Sequence, residues 1–449
     1  MTDNPDWLWS KADASFQWLS DLLGVTLRAA ISIMKTIRFI ILVAVALGQA
    51  AIALAEFRAG IAVRVVTPDP LLPVSGGVGP SNPVIQKRGD LTVRAMVLEG
   101  DGTRVAFVST DFLGFPAVLG DRVRHQVRSI PATNILIGAT HTHSAPDCYA
   151  FPNGRGGTDA DLDYLDFVCN SAAEAINEAV AGLQPASLRI ATGKATGKIA
   201  YNYYAPQLYD PRCSVMQALG RDGKPFATLV NYAIHPEVLG SNQGILSPDM
   251  VGPLYDRLAA NGGGTGIFMN GALGGMVTAD VRGPDGKDVQ TWGECHRIGH
   301  LLADEALRIV SGATAQSNPA IRCTGRDVTL PVDSPMLLAI MKTSPLRLAK
   351  QGEKTITTHV NLVQVGDAQI LTIPGEALPN IGYYLKRKMT GRHNLLFGLT
   401  NDALGYFLTK EDWNSFERYD YITRTCLGEQ TGEILIRESL RLINEASSK

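Results

Sequence analysis

Short apolar runs that stop abruptly on polar residues recur along this sequence, and they restrict the folds open to it. The run at 134–139 reads NILIGA and breaks into Thr-His-Thr-His-Ser-Ala-Pro at 140–146. It is short, partly β-branched and preceded by Pro131, which predicts a strand. Side chains alternate on a strand, so His141 and His143 are expected on one face, with Pro146 closing the segment. Further strands are predicted at 60–66, 226–234, 266–269 and 394–399. Hairpins are predicted from 91–98 with 104–109, around Gly100-Asp101-Gly102, and from 359–365 with 368–373, around Gly366-Asp367. Helical spacing covers 161–183, 250–260, 291–310 and 429–446, and the Pro- and Gly-rich stretch 69–90 reads as a long loop. No Pro- or Gly-rich linker divides this material, so an α/β fold is expected, with mixed sheets flanked by helices in one domain over 56–449.

The residues just beyond the strands are chemically uniform. NILIGAT leads to His141 and His143, FATLVNYAI to His235-Pro236, and AQILTI to Pro374-Gly375-Glu376. RVAFVST leads to Asp111, GIFM to Asn270-Gly271, and LLFGLTND to Gly405-Tyr406. Mixed α/β folds assemble active sites at such strand exits, because rigid strands hold the loops. Two histidines and a carboxylate make a common catalytic zinc set, which His141, His235 and Glu376 can supply. His296 and His300 lie four apart on a predicted helix but lack the intervening Glu of a His-Glu-x-x-His motif, so they read as helix-surface residues. His125, His359 and His393 have no supporting context. Cys148 lies near the His-x-His segment, with no base partner of its own.

A net charge of −2 gives no pull toward nucleic acid. No phosphate-binding glycine loop or basic stripe occurs. A small-molecule or lipid substrate is expected, with peripheral membrane contact and oligomeric state left open. Six cysteines without a C-x-x-C permit either disulfides or free thiols.

Residues 1–55 read as an N-terminal extension plus a targeting segment. Lys35 and Arg38 precede the uncharged run 39–55, which ends in Ala53-Leu54-Ala55 before Glu56. Basic, apolar and small-residue regions in that order are the layout of a secretory signal, so export after cleavage near Ala55 is expected. Signal peptides normally begin a chain, so Met34 is expected to be the true start; the rival reading is a genuine cytoplasmic segment, since 7–33 carries an amphipathic pattern. The alternative is a membrane anchor at 39–55, at the short edge of the ~20 residues a span needs.

Five segments resemble the neutral, non-lysosomal ceramidases and their bacterial relatives: GATHTHSAPD at 138–147, NYAIHPEVLG at 231–240, ILSPDMVG at 245–252, PGEALPNIG at 374–382, and GYFLTKEDW from 405 through Tyr419. AGIAVRVVTP at 59–68 and STDFLG at 109–114 are similar to the family's start, so the likeness runs from about 57 to about 440. The resemblance implies an amidohydrolase with one Zn2+ held by His141, His235, Glu376 and Tyr406. It implies that His143 handles protons beside a zinc-activated water, and that Tyr419 holds the carbonyl oxygen of an N-acyl bond in ceramide or a related N-acyl lipid. The spacing from Tyr406 to Tyr419 is one residue longer than in the family. Characterised ceramidases carry a C-terminal immunoglobulin-like domain, for which this chain is expected to be too short.

Other departures bear on substrate. The family's N-x-G-D-x-S-P-N corresponds to Asn270 through Thr278, where its Asp becomes Gly275 and its Ser falls near Val277 or Thr278. Its Asn-Arg-Ser corresponds to Tyr201-Asn202-Tyr203, without the Arg. Weak action on ceramide is therefore expected. Two alternatives remain: a zinc hydrolase of the same fold acting on another small amide, ester or lactone, and a non-catalytic binding protein.

Overall fold

Arg58–Val65 (β1), Thr92–Gly100 (β2), Thr103–Thr110 (β3), Ile135–Ala139 (β4) and Gln184–Pro185 (β5) form a sheet in the order β4-β3-β2-β1-β5. Asp101 and Gly102 join β2 to β3 with φ of 49° and 73°, the left-handed pair that a tight hairpin demands. β4 runs parallel to β3 and is buried at every residue. Helix α1 (Ala117–Gln126) lies in the crossover between them. Helix α2 (Leu162–Ala181) is capped by the Asp161 side chain, which accepts from the Tyr164 N–H. It packs on β1 and β2, and it comes so close that a Cβ at Gly60 would collide with the Ala179 carbonyl. The computed structural model describes residues 18, 24, 26–28, 32–40, 56–348 and 353–447.

Ser187–Lys194 (β6), Arg212–Leu219 (β7), Pro225–Tyr232 (β8) and Thr265–Asn270 (β9) form a second sheet, ordered β9-β8-β7-β6. β8 and β9 are parallel, joined through α3 (Val251–Ala260). Helix α4 (Trp292–Ser311) packs against α3, β6 and β7. Ile321–Pro331 (β10), Thr355–Val365 (β11), Ala368–Thr372 (β12) and His393–Phe397 (β13) form the third sheet in chain order. Helix α5 (Pro335–Thr343) falls between β10 and β11. α6 (Pro379–Lys388) crosses between the parallel strands β12 and β13. A short helix α7 (Asp420–Arg424) precedes α8 (Thr431–Ser447), which packs on β10 and α6.

Each sheet thus carries one parallel pair: β3–β4, β8–β9 and β12–β13. The three meet in a common core that includes Phe107, Leu136, Leu229, Met269, Ile370 and Phe397. Phe107 meets Phe397 edge to face at 5.5 Å between centroids. That core fixes the strand ends of all three sheets relative to one another.

The mixed α/β architecture expected from the sequence is the one observed. Two short strands, Val74–Ser75 and Gln86–Lys87, punctuate the loop at 69–90. Strands β6, β7 and β10 and helices α1, α5 and α6 lie where the sequence carries no strong period. β10, reading IRCTGRDVTLP, is mostly unburied and polar, and Gly120 and Gly382 interrupt α1 and α6. All six cysteines are free thiols.

The chain divides into Met1–Ala55 and Glu56–Lys449. In the first unit, residues 32–40 are helical. The expected cleavage region, 41–55, lies outside the described residues. Among the described residues, no helix is long and apolar enough to cross a membrane.

Candidate metal centre

His141 follows β4, but not as a continuation of the strand. Its φ is 75°, a left-handed conformation that costs a non-glycine residue energy and clusters at functional sites. The expected strand alternation therefore fails at this residue. The two rings still meet, at 4.8 Å between centroids, because the chain turns here. Main-chain bonds fix the turn: the His141 N–H donates to Phe112 O at 2.9 Å and the His143 N–H to Pro236 O at 3.2 Å.

His235 follows β8 and is fully buried, while His141 is 4% exposed. His141 Nδ1 lies 2.5 Å from Leu113 O, and His235 Nδ1 lies 2.9 Å from Val277 O. A carbonyl only accepts, so both rings carry their proton on Nδ1 and present a bare Nε2 to the site. Glu376 Oε2 lies 3.2 Å from His235 Nε2 and 3.7 Å from His141 Nε2. Zinc ligands at ~2.0–2.1 Å in a tetrahedron stand roughly 3.3 Å apart, so this spacing fits. His235 Nε2, Glu376 Oε2 and His143 Nε2 are buried without a hydrogen-bond partner, a cost that a shared cation would offset. His141, His143 and His235 also form a donor group whose ligand atoms lie within 4.8 Å of one another.

Glu376 and Tyr406 come together because Glu376–Ala377 and Tyr406–Phe407 pair in parallel, with Glu376 opposite Tyr406. The Glu376 N–H donates to Gly405 O at 2.9 Å. This approach needs Gly405, whose φ is 77° and where a Cβ would collide with the Thr425 carbonyl. The Tyr406 hydroxyl donates to Met276 Sδ at 3.2 Å, and its nearness to Glu376 adds to the lowering of that carboxyl's pKa.

Asn270, at the end of β9, ties the two histidine turns together. Its Nδ2 donates to Thr140 O at 2.9 Å and to Ile234 O at 2.7 Å. Its Oδ1 accepts from the N–H groups of Ile234 and Gly271 at 3.1 and 2.9 Å. The sequence places Asn270 at a strand exit, but no spacing rule identifies it as a clamp.

Burial lowers the His141 pKa to about 3, which keeps the ring neutral and able to accept a cation. Burial, with a smaller push from His235, does the same to His143. Burial would raise Glu376, but His141 and His235 beside it prevail and hold it below the usual carboxylate range.

A cavity of ≈ 220 Å³ opens from this cluster. His141, His143, Glu376, Tyr406 and Tyr421 line its polar end, and Leu113, Phe151, Leu337, Ile340 and Met341 give it apolar walls. Tyr419 is not among the lining residues. It packs edge-on against Tyr204 and Phe416, at 5.1 and 5.3 Å, while Tyr421, two residues on, reaches the cavity. Of the residues at the substrate-reading places, Val277 is buried and Tyr203 is 56% exposed, while the Thr278 hydroxyl donates to Glu237 at 2.5 Å. None of the three lines the cavity. His296 and His300 meet edge to face at 5.2 Å along α4, and neither lines the cavity. Cys148 Sγ donates to Gly114 O, and burial pushes its thiol up, out of nucleophilic range.

No family model matches the chain. Neutral ceramidase B of Dictyostelium discoideum is 27% identical to it over 227 residues, 43% of this chain and 31% of that protein. The match therefore spans about a third of that relative's length. The crystal structure of neutral ceramidase from Pseudomonas aeruginosa superposes with a TM-score of 0.72 at 16% identity, over 88% of this chain and 75% of that one. A ceramidase complexed with C2 superposes with a TM-score of 0.68 at the same identity and coverage. The fold is that of neutral ceramidase, and the resemblance read from the sequence stands in both comparisons.

Proposed function

We propose that the chain is a zinc-dependent amidohydrolase that cleaves the N-acyl bond of ceramide or a related N-acyl lipid. One observation carries this reading. Two imidazole Nε2 atoms and a carboxylate oxygen, two of them unpaired and 3.2 Å apart, converge at the polar end of an apolar cavity. His141, His235 and Glu376 would hold the ion, with the Tyr406 hydroxyl as fourth donor. Zinc, when bound, supplies a Lewis acid that polarises a carbonyl and acidifies water.

The chain's own groups then divide the remaining work. The apolar walls at Leu113, Phe151 and Ile340 take up an acyl chain and exclude water from the reacting end. His143, neutral and with an unpaired Nε2, accepts a proton there from the attacking water and returns it to the departing amine nitrogen. Tyr421, in place of Tyr419, donates from Oη to the acyl oxygen as charge develops on it.

A second reading, hydrolysis of another small amide, ester or lactone, is favoured by the engagement of the Thr278 hydroxyl with Glu237. That bond leaves no free hydroxyl at the family's serine place to read a ceramide head group. Export with a cut near Ala55 belongs to the same proposal, and N-terminal sequencing of secreted protein that begins near Glu56 checks it.

The test joins metal content to a substrate panel. Purified protein should hold about one zinc by elemental analysis. His141→Ala and His235→Ala should lose most of it, and His143→Asn should keep the metal while losing hydrolysis. Full zinc in the first two variants refutes the ligand set, and zinc lost in His143→Asn makes that ring a ligand. Hydrolysis of a short-chain ceramide is then compared with simple N-acyl amides and esters by kcat/KM. A hundredfold advantage for ceramide, ~2.7 kcal/mol, removes the second reading, and no hydrolysis of any substrate in the panel removes both.

A further inference from the structure

We propose that Glu237 is a positioning residue for His143, holding the ring so that its proton sits on Nδ1 and its Nε2 stays bare toward the cavity. This rests on the hydrolase reading of the site above. Glu237 stands two residues after His235, on the turn that also carries the Pro236 carbonyl, acceptor of the His143 N–H. Its Oε2 lies 3.8 Å from His143 Nδ1, and its side chain is 22% exposed. The carboxylate is itself held: Oε1 accepts from the Thr278 hydroxyl at 2.5 Å, and the Glu237 N–H donates to His235 O at 3.0 Å. Thr278 is fixed in turn, because its backbone bridges to that of His235.

His141 and His235 each have a carbonyl on Nδ1 to set the tautomer. His143 has two acceptors near it, the Gly76 carbonyl beside the ring and the Glu237 carboxylate 3.8 Å from Nδ1. At 3.8 Å the carboxylate makes no direct hydrogen bond to the ring, but its negative charge favours the proton on the near Nδ1 over the far Nε2, which keeps its lone pair. The unpaired, buried Nε2 of His143 is the atom this arrangement exposes to a reactant. The ring lies edge-on to His141 at 4.8 Å, so a rotated His143 would also crowd the metal ligands. Thr278 accordingly has work other than reading substrate: it anchors the group that aims the proton carrier.

The experiment uses zinc-loaded, 15N-histidine-labelled protein, with His143 assigned by His143→Asn. Two-bond 15N–1H spectra of the wild type should show His143 protonated on Nδ1. Glu237→Ala should give a mixture of tautomers, and Glu237→Gln should stay closer to the wild-type form, because the amide oxygen still turns a partial negative charge to the ring while the amide nitrogen turns to Thr278. In kinetics, Glu237→Ala should lower kcat about 10- to 100-fold with KM within about twofold and zinc content unchanged, and Glu237→Gln should recover part of the loss. Thr278→Val, which loosens the carboxylate without touching the ring, should move both readouts in the same direction by less, and it serves if Glu237→Ala does not fold. An unchanged His143 tautomer in Glu237→Ala, or a kcat loss matched by zinc loss, overturns the proposal. If the wild type hydrolyses nothing, the hydrolase reading falls, and the tautomer spectra still decide whether Glu237 sets the ring.

Discussion

Asn270→Asp changes one atom type at the clamp between the two histidine turns. The side chain keeps its volume, and one oxygen still accepts from Ile234 and Gly271. The other oxygen now faces the carbonyls of Thr140 and Ile234, at the places where Nδ2 donated at 2.9 and 2.7 Å. Two hydrogen bonds are lost and two buried acceptors are left facing an anion. At about 1–3 kcal/mol for each buried group left unsatisfied, the expected loss is about 2–6 kcal/mol, a large share of the ~5–15 kcal/mol that holds a typical domain together. The loss should depend on pH in a defined sense. Burial against two carbonyls raises the new carboxyl's folded-state pKa, and only its protonated form can donate. The stability it supplies is therefore full below its unfolded value and lost as pH rises through its folded value. Urea unfolding of metal-free protein at pH 7.5 and pH 5 measures both effects, and chelator removes the stabilisation by bound ion. A gap from wild type below about 1 kcal/mol at pH 7.5, or a gap that widens at pH 5, refutes the clamp.

Two further expectations concern single side chains. Tyr421→Phe should lower kcat roughly 10- to 1000-fold, as loss of an oxyanion donor does, while Tyr419→Phe should stay within about threefold; equal effects from both would remove the distinction drawn from the cavity. Glu305, buried on α4, is held at about 2, chiefly by the Arg308 guanidinium and then by Thr196. Its contribution is present above the ordinary carboxylate pKa and lost as pH falls toward about 2, so Glu305→Gln should cost about 1–2 kcal/mol at pH 7 and progressively less between pH 4.5 and 2, by urea titration.

The strands that carry His141, His235 and Glu376 were legible because each is a short apolar run with a polar stop, and burial enforces that pattern. β10 was not, since its residues face solvent for most of its length and no apolar period marks them. Within the site, the residues proposed to hold the ion or meet a reactant announced themselves by type, as histidine and glutamate do. Those that aim them did not. Asn270 acts through four main-chain groups, and Glu237 acts through one ring, and neither relation leaves a trace in spacing. That Tyr421 and not Tyr419 lines the cavity is of the same kind, because the short helix α7 and the turn before it set which tyrosine reaches it.

The three parallel strand pairs, one per sheet, also set an order of events. His141, His235 and Glu376 are far apart in sequence, and each follows a strand of a different sheet. The donor set exists only after long-range pairing is complete, so an ion cannot act as a template for early folding. Zinc should leave the refolding rate nearly unchanged and slow unfolding instead, because its stabilisation enters after the rate-limiting barrier. At a free concentration a hundred times its dissociation constant it would add about 2.7 kcal/mol, which on that limb alone lengthens the native lifetime by roughly a hundredfold. The centre would then be a latch on a finished structure, set at the meeting point of parts that fold without it.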